Sequence, residues 1–237
     1  MKKYIYYTSI KSVLGKDALE GFFYRCFTFQ YSTRWTCWDF APGNYYEFGT
    51  GDGNSIKMFV RALKWFARDE KKYEELSRAS IFAFDSFSGL PPQSSKMDEN
   101  PGWHEGDFAH DEKFIIDLVN NRLKFKGKFK SIAGYYENSL TTALRKELSA
   151  HPPSIVNIDV DYYSSAKTVL EWLRPILQDG TIFHFDDIWE YLGNQNRGEI
   201  AAINEFNKSG EGMLFPFYEH GIPTLFGKTF IYNSNKM

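Results

Sequence analysis

Cysteine is scarce in this chain. Cys26 and Cys37 are its two, they form no C-x-x-C pair, and they supply neither a disulfide framework nor a zinc motif. Long apolar runs are missing as well: no stretch of about 18 apolar residues is present to span a bilayer, and the N-terminus lacks the apolar core of a signal peptide. The expectation is a cytoplasmic protein with no membrane partner. No excess of one charge exists, since 28 basic and 30 acidic residues leave a formal net charge of −2. Without a global positive field, nucleic acid is not an expected partner. Two nucleotide motifs are also lacking. The glycine-rich stretch at 49–53 has no Gly-Lys-Ser/Thr ending of a P-loop, and its G-x-G-x-G spacing is one short of the dinucleotide fingerprint. ATP and NAD are therefore disfavoured.

What is present suits one α/β domain. With 237 residues, 43% hydrophobic and 24% charged, the chain can bury a full core, and residues 1–237 read as a single domain. Residues 1–43 are rich in aromatics, with Phe22, Phe23, Tyr24, Trp35, Trp38 and Phe40, and are expected to form a helical cap on the sheet or over a pocket. Residues 93–110 are too polar and glycine-rich for a core element and read as a lid-like loop. The alternating Lys124-Phe125-Lys126-Gly127-Lys128-Phe129-Lys130 reads as a solvated edge strand or loop. Thr229 to Tyr232 reads as the last strand, antiparallel to the rest.

Chemistry concentrates in the second half. Ile158-Asp159-Val160-Asp161 and Phe185-Asp186-Asp187-Ile188 place acidic pairs at the ends of two apolar runs that read as buried strands. Between them, Val169, Leu170, Leu173 and Leu177 follow helical spacing, with Ser164 and Ser165 as candidate caps. Strand, helix, strand is a βαβ unit, and its parallel strands deliver their ends to one edge of the sheet. Asp159, Asp161, Asp186 and Asp187 are thus expected to converge. Clustered carboxylates repel unless protons, basic groups or a cation neutralise them, and hard oxygen ligands suit Mg²⁺, Mn²⁺ or Ca²⁺ over zinc. The alternative is that these acids only cap helices.

The first half adds a second element. Tyr45-Tyr46-Glu47-Phe48 runs into Gly49-Thr50-Gly51-Asp52-Gly53-Asn54-Ser55, followed by Ile56, Phe59, Val60, Leu63 and Phe66 at helical spacing. Strand, glycine loop and helix allow a close backbone approach to a ligand at a helix start, although a tight connection alone would also call for glycine. The next strand, Ile81-Phe82-Ala83-Phe84, ends in Asp85 and Ser86. An acid there can accept hydrogen bonds from both hydroxyls of a ribose.

Together these residues resemble the class I S-adenosylmethionine-dependent methyltransferases, and among them the metal-dependent macrocin/mycinamicin-type sugar O-methyltransferases. The matching pieces are Glu47 to Ser55, Asp85-Ser86-Phe87-Ser88-Gly89-Leu90-Pro91, Trp103 to Phe108 (WHEGDF), Gly134 to Leu140, the D-x-D-x-Y at Asp159 to Tyr163, and Phe185-Asp186-Asp187. The resemblance implies a Rossmann-like, mostly parallel seven-stranded sheet with helices on both faces and an antiparallel last strand. It implies S-adenosylmethionine and Mg²⁺ or another divalent cation as cofactors. Asp159, Asp186 and Asp187 would hold the metal, with Asp161 a further ligand or the base. Gly49, Thr50, Gly51, Gly53 and Ser55 would cradle the methionine part, Asp85 and Ser86 the ribose, and Gly134 and Tyr135 the adenine side, with Glu47 supporting the loop. Trp103, His104 and Glu105 would cover the cofactor or touch the acceptor, a sugar-bearing small molecule. A homo-oligomer is the assembly common among such enzymes. Val160 and His184 depart from the pattern; the latter reads either as a core residue or as a group orienting a ligand.

Other readings stay open at this point. A catechol would satisfy the same two-oxygen chelation. Asp159-Val160-Asp161 also resembles the D-x-D of metal-dependent glycosyltransferases that use nucleotide sugars, which would leave the glycine loop and Asp85 unexplained. A non-catalytic cofactor-binding domain would have no need of all four acids.

Overall fold

The computed structural model of the chain describes residues 43–66, 79–216 and 227–234. The cap expected over residues 1–43, with both cysteines, lies outside the described residues except for Gly43. Seven strands form one sheet: β1 (Asn44–Phe48), β2 (Ile81–Asp85), β3 (Phe129–Ala133), β4 (Pro153–Ile158), β5 (Ile182–Phe185), β6 (Met213–Pro216) and β7 (Lys228–Asn233). Their order is β3-β2-β1-β4-β5-β7-β6. The first five are parallel, whereas β7 lies antiparallel between β5 and β6. The expected sheet and its antiparallel last strand are therefore present, with β6 running in the same direction as the first five strands.

Burial on both faces explains the mostly apolar strands. Every residue of β1, β4 and β5 is buried, as parallel strands covered by helices on both sides must be. Alternate side chains feed opposite cores. Tyr46, Phe48, Phe84, Val156, Ile158, Phe183 and Phe185 pack on one face with α5 (Tyr163–Leu173) and α6 (Gly198–Lys208). Tyr45, Ile81, Ala83 and Ile155 pack on the other with Ile56, Phe59, Val60 and Leu63 of α1 (Asn54–Phe66). Shorter helices are α2 (Glu112–Asp117), α3 (Tyr136–Ser139) and α4 (Thr142–Leu148).

The edge position of β3 accounts for the basic stretch before it. Lys130 pairs with Glu147 at 2.7 Å while Phe125 turns into the core beside α1. Among the described residues no helix is long and apolar enough to cross a membrane.

The expected serine caps of α5 do not form. Tyr162 is the N-cap residue and makes no side-chain cap. Asp98, from the 93–110 loop and fully buried, accepts the Ser164 N–H at 2.9 Å instead. At the other end, α5 gives way to a 3₁₀ turn over Arg174–Ile176, because Pro175 cannot continue the helical hydrogen bonds. Leu177 therefore lies beyond the helix.

Candidate active site

The sheet reverses its winding between β1 and β4, where a crevice opens at the carboxyl ends of the strands. Gly49 leaves β1 with φ +78°, and a Cβ on it would lie 1.7 Å from the Asp159 carbonyl oxygen. Only glycine lets the two strand ends come this close. The loop is held from β2: Asp85 Oδ2 accepts the N–H groups of Thr50 at 2.7 Å and Gly51 at 3.1 Å, and Oδ1 accepts Phe87 N–H at 2.7 Å. Asp85 thus shapes the glycine loop as well as facing the cavity.

Beneath the loop, Glu47, Thr50 and Ser55 are buried, and Tyr45 donates its hydroxyl proton to Glu47. A Cβ on Gly53 would meet Leu118 Cδ2 at 2.6 Å and Ile115 Cδ1 at 3.1 Å. Its glycine serves the packing of α2 and the turn after it.

Parallel register brings the acids together as the βαβ reading requires. Asp159 and Asp186 follow β4 and β5, with Asp159 N–H donating to Phe48 O and Asp186 N–H to Ile158 O, both at 3.0 Å. One carboxylate oxygen from each of Asp159, Asp186 and Asp187 lies within 4.8 Å of the others. Asp161 stands apart from this trio. It adopts φ +62°, and its N–H donates to Asp187 Oδ2 at 3.0 Å. His184, on β5, is buried with Nε2 3.4 Å from Asp186 Oδ1.

A cavity of about 530 Å³ spans both elements. Its lining includes Gly49, Gly51, Asp85, Ser86 and Tyr135, the acids Asp159, Asp161 and Asp187, and Trp103, Phe108 and His110 from the 93–110 segment. Gly134 lies behind the wall, donating to Asp85 O at 2.9 Å. His104 and Glu105, expected to cover the cofactor or touch the acceptor, are exposed and do not line the cavity. The reason is a tight turn, closed by Asp107 N–H to His104 O and by His104 N–H to Asp107 Oδ2, which turns Trp103 and Phe108 toward the cavity and the two polar residues away.

Comparison with known proteins agrees with this geometry. The sequence profile of a methyltransferase domain matches residues 46–188, well over half of the chain. The chain belongs to that methyltransferase family. Among solved structures, the calicheamicin methyltransferase CalS11 is similar at 20% identity and TM-score 0.65, over 87% of this chain and 77% of that one. The O-methyltransferase NovP is similar at 16% identity and TM-score 0.65, over 87% of this chain and 78% of that one. Such likeness establishes the fold, the class I fold of S-adenosylmethionine-dependent methyltransferases. No protein of curated function matches the sequence.

The methyltransferase carries more buried acid at this edge than its sequence pattern disclosed. Glu199, in the first turn of α6, is fully buried and accepts Asp187 N–H at 3.1 Å and Val160 N–H at 3.4 Å. Burial, then Asp159, raises its carboxyl well above the ordinary range. Burial, then Asp161 and Asp159, does the same to Asp187. Asp161 is pushed up to about 7 by burial and by the charges of Glu190, Asp186 and Asp85. No acidic doublet or strand end marks Glu199 or Glu190 in the sequence, so nothing local pointed to them.

The 93–110 segment is tied down rather than loose. Asp98 accepts from Ser94 Oγ at 3.2 Å, Tyr191 Oη donates to Asp98 O at 3.1 Å, and Arg197 and Gly198 donate to the Glu99 and Met97 carbonyls. Trp103 rests on Tyr162 and Tyr191, with ring centroids 5.8 and 5.6 Å away.

Proposed function

We propose that this methyltransferase moves the methyl group of S-adenosylmethionine to a hydroxyl of a sugar-containing small molecule, with a divalent cation held by Asp159, Asp186 and Asp187. The observation that carries the reading is the meeting of the glycine loop and the acidic cluster in one cavity. The donor set fits a hard cation: three carboxylates share a focus, and burial with the charges of nearby acids raises Asp187, a cost that a dication relieves. When bound, such a cation supplies Lewis acidity that lowers the pKa of an acceptor hydroxyl.

The chain's own groups do the rest. Gly49, Gly51 and Gly53, with Ser55, form the loop along the methionine part of the cofactor, while Glu47 and Thr50 support it from beneath. Asp85 and Ser86 meet the ribose, and Tyr135 beside Gly134 meets the adenine. Asp85 spends three acceptor positions on main-chain N–H groups, and a carboxylate has about four, so a ribose hydroxyl would add to that set. Asp161 is suited to take the hydroxyl proton as the oxygen attacks the methyl carbon and the carbon–sulfur bond breaks, because a base is most effective with a pKa near the working pH. Asp161 serves as base in this reading, standing outside the group of three carboxylates assigned to the cation. Trp103 gives the acceptor an apolar wall. A sugar acceptor is supported by the related fold of CalS11, described as a TDP-rhamnose 3′-O-methyltransferase in a second structure with TM-score 0.56 and 19% identity.

Calorimetric titration with S-adenosylmethionine, S-adenosylhomocysteine, and UDP- and GDP-sugars, each with and without Mg²⁺, tests the proposal. Binding of the sulfur cofactors is expected. Binding of a nucleotide sugar alone would replace methyl transfer with glycosyl transfer.

A further inference from the structure

Charge in the cavity is one-sided. Seven acidic residues line it, against no lysine, no arginine and one histidine, His110, among the described lining residues. His110 stands over the glycine loop, with Nε2 3.9 Å from where a Cβ on Gly51 would be. The start of α2 sets its position. Asp111 caps that helix, accepting Lys113 N–H at 2.9 Å, and Ile115 and Leu118 press directly on Gly53. The turn that carries His110 is therefore seated on the loop it overhangs. Among the described residues, no hydrogen bond or ion pair engages the imidazole.

S-adenosylmethionine carries a single anionic group, the α-carboxylate of its methionine part. An anion entering a space walled by carboxylates needs a donor against it, because unpaired charge is costly to desolvate and like charges nearby add to the cost. We propose that His110 receives this α-carboxylate, donating a hydrogen bond from its imidazole N–H across the gap above Gly51. Gly51 makes the contact possible: a side chain there would fill the space between loop and ring. This inference rests on the methyltransferase reading and adds to it a binding residue outside the glycine loop and the acidic cluster.

The test uses two ligands that differ at the relevant end. S-adenosylhomocysteine has the amino-acid part; 5′-methylthioadenosine keeps the nucleoside and thioether but lacks the carboxylate. Each is titrated by calorimetry into wild-type protein, His110→Ala and His110→Gln. Loss of a hydrogen bond to a charged group corresponds to about a tenfold weakening or more. His110→Ala is expected to weaken S-adenosylhomocysteine by about tenfold while leaving methylthioadenosine within about twofold, and His110→Gln, which keeps an N–H donor, is expected to recover part of the loss. Unchanged S-adenosylhomocysteine affinity, or an equal loss for both ligands, overturns the assignment, the second because it places His110 on the nucleoside or in the fold. Wild-type protein that binds neither ligand would count against the methyltransferase reading itself.

Discussion

The three glycines of the loop look alike in the sequence but carry different burdens, and Gly49→Ala against Gly51→Ala separates them. Both residues have positive φ, +78° and +52°, so alanine at either costs about 1–2 kcal/mol in backbone strain. At Gly51 little else in the protein resists, since the nearest side-chain atom would be His110 Nε2 at 3.9 Å. At Gly49 a Cβ would stand 1.7 Å from the Asp159 carbonyl oxygen, and the obstacle is backbone that cannot swing aside. Forcing β1 and β4 apart adds about 1–3 kcal/mol by the usual cost of overpacking. Gly49→Ala should therefore lose about 2–5 kcal/mol, which for a chain of this size lowers Tm by about 4–20 °C. Gly51→Ala should lose about 2–8 °C on the same scale, yet its methyl group projects into the cavity. Thermal melts paired with calorimetric titration of S-adenosylhomocysteine separate the two effects. Gly51→Ala should bind the ligand at least about tenfold more weakly while staying folded. A bulkier Gly51→Val should block binding. The reasoning fails if Gly49→Ala melts with wild type, or if Gly51→Ala binds the ligand normally and the loop is only a turn.

Further outcomes rest on the same geometry. Asp187→Asn removes one of three clustered carboxylates and should weaken Mn²⁺ binding, followed by electron paramagnetic resonance, by about tenfold or more, with S-adenosylhomocysteine affinity nearly unchanged; undiminished Mn²⁺ binding would remove Asp187 from the cation site. Asp98→Ala deletes the cap on α5 and the anchor of the 93–110 segment, costing about 1–3 kcal/mol. It should raise the acceptor KM more than the cofactor Kd, and equal effects on both would deny the segment a role at the acceptor. Excising residues 95–102 removes the same anchor and should lower Tm rather than merely free a lid. Asp161 is raised in the folded chain from 3.8 to about 7, so between these values the folded state holds a proton that the unfolded state has released. Stability of the metal-free protein should then fall as pH rises from about 4 to about 7, and Asp187 and Glu199, shifted in the same direction, steepen the fall. Mg²⁺ should flatten the profile, and a metal-free Tm that rises across this window would contradict the placement of these acids.

Much of the fold was legible because parallel strands buried on both faces have no polar side to show. Phe48, Ile158 and Phe185 end mostly apolar runs, and the next residues emerge at one edge by the geometry of the βαβ unit. Asp159, Asp161, Asp186 and Asp187 are grouped on that basis by the sequence, whereas only the structure sets Asp161 apart from the other three. The serines at the start of α5 suggest caps because a serine next to a helix start is a local signal, whereas the partner that forms, Asp98, arrives from 66 residues away. His104 and Glu105 are candidates in the sequence because they lie in a long polar, glycine-rich loop next to the site residues. The turn closed by Asp107 reverses which members of that loop face inward, and a turn's hand is not written in residue type.

The sequence by itself determined the class of fold, the glycine loop with Asp85 opposite it, and the acidic cluster, since each follows from periodicity, chain direction and residues adjacent in the chain. Tertiary structure alone decided that Glu199 lies buried under the cluster, that Asp85 holds the loop through Thr50 and Gly51, and that His110 overhangs Gly51. These are contacts between segments far apart in the chain. Which of many similar polar residues meets a given site depends on how helices seat on the sheet, a property of the packed whole and not of any local stretch.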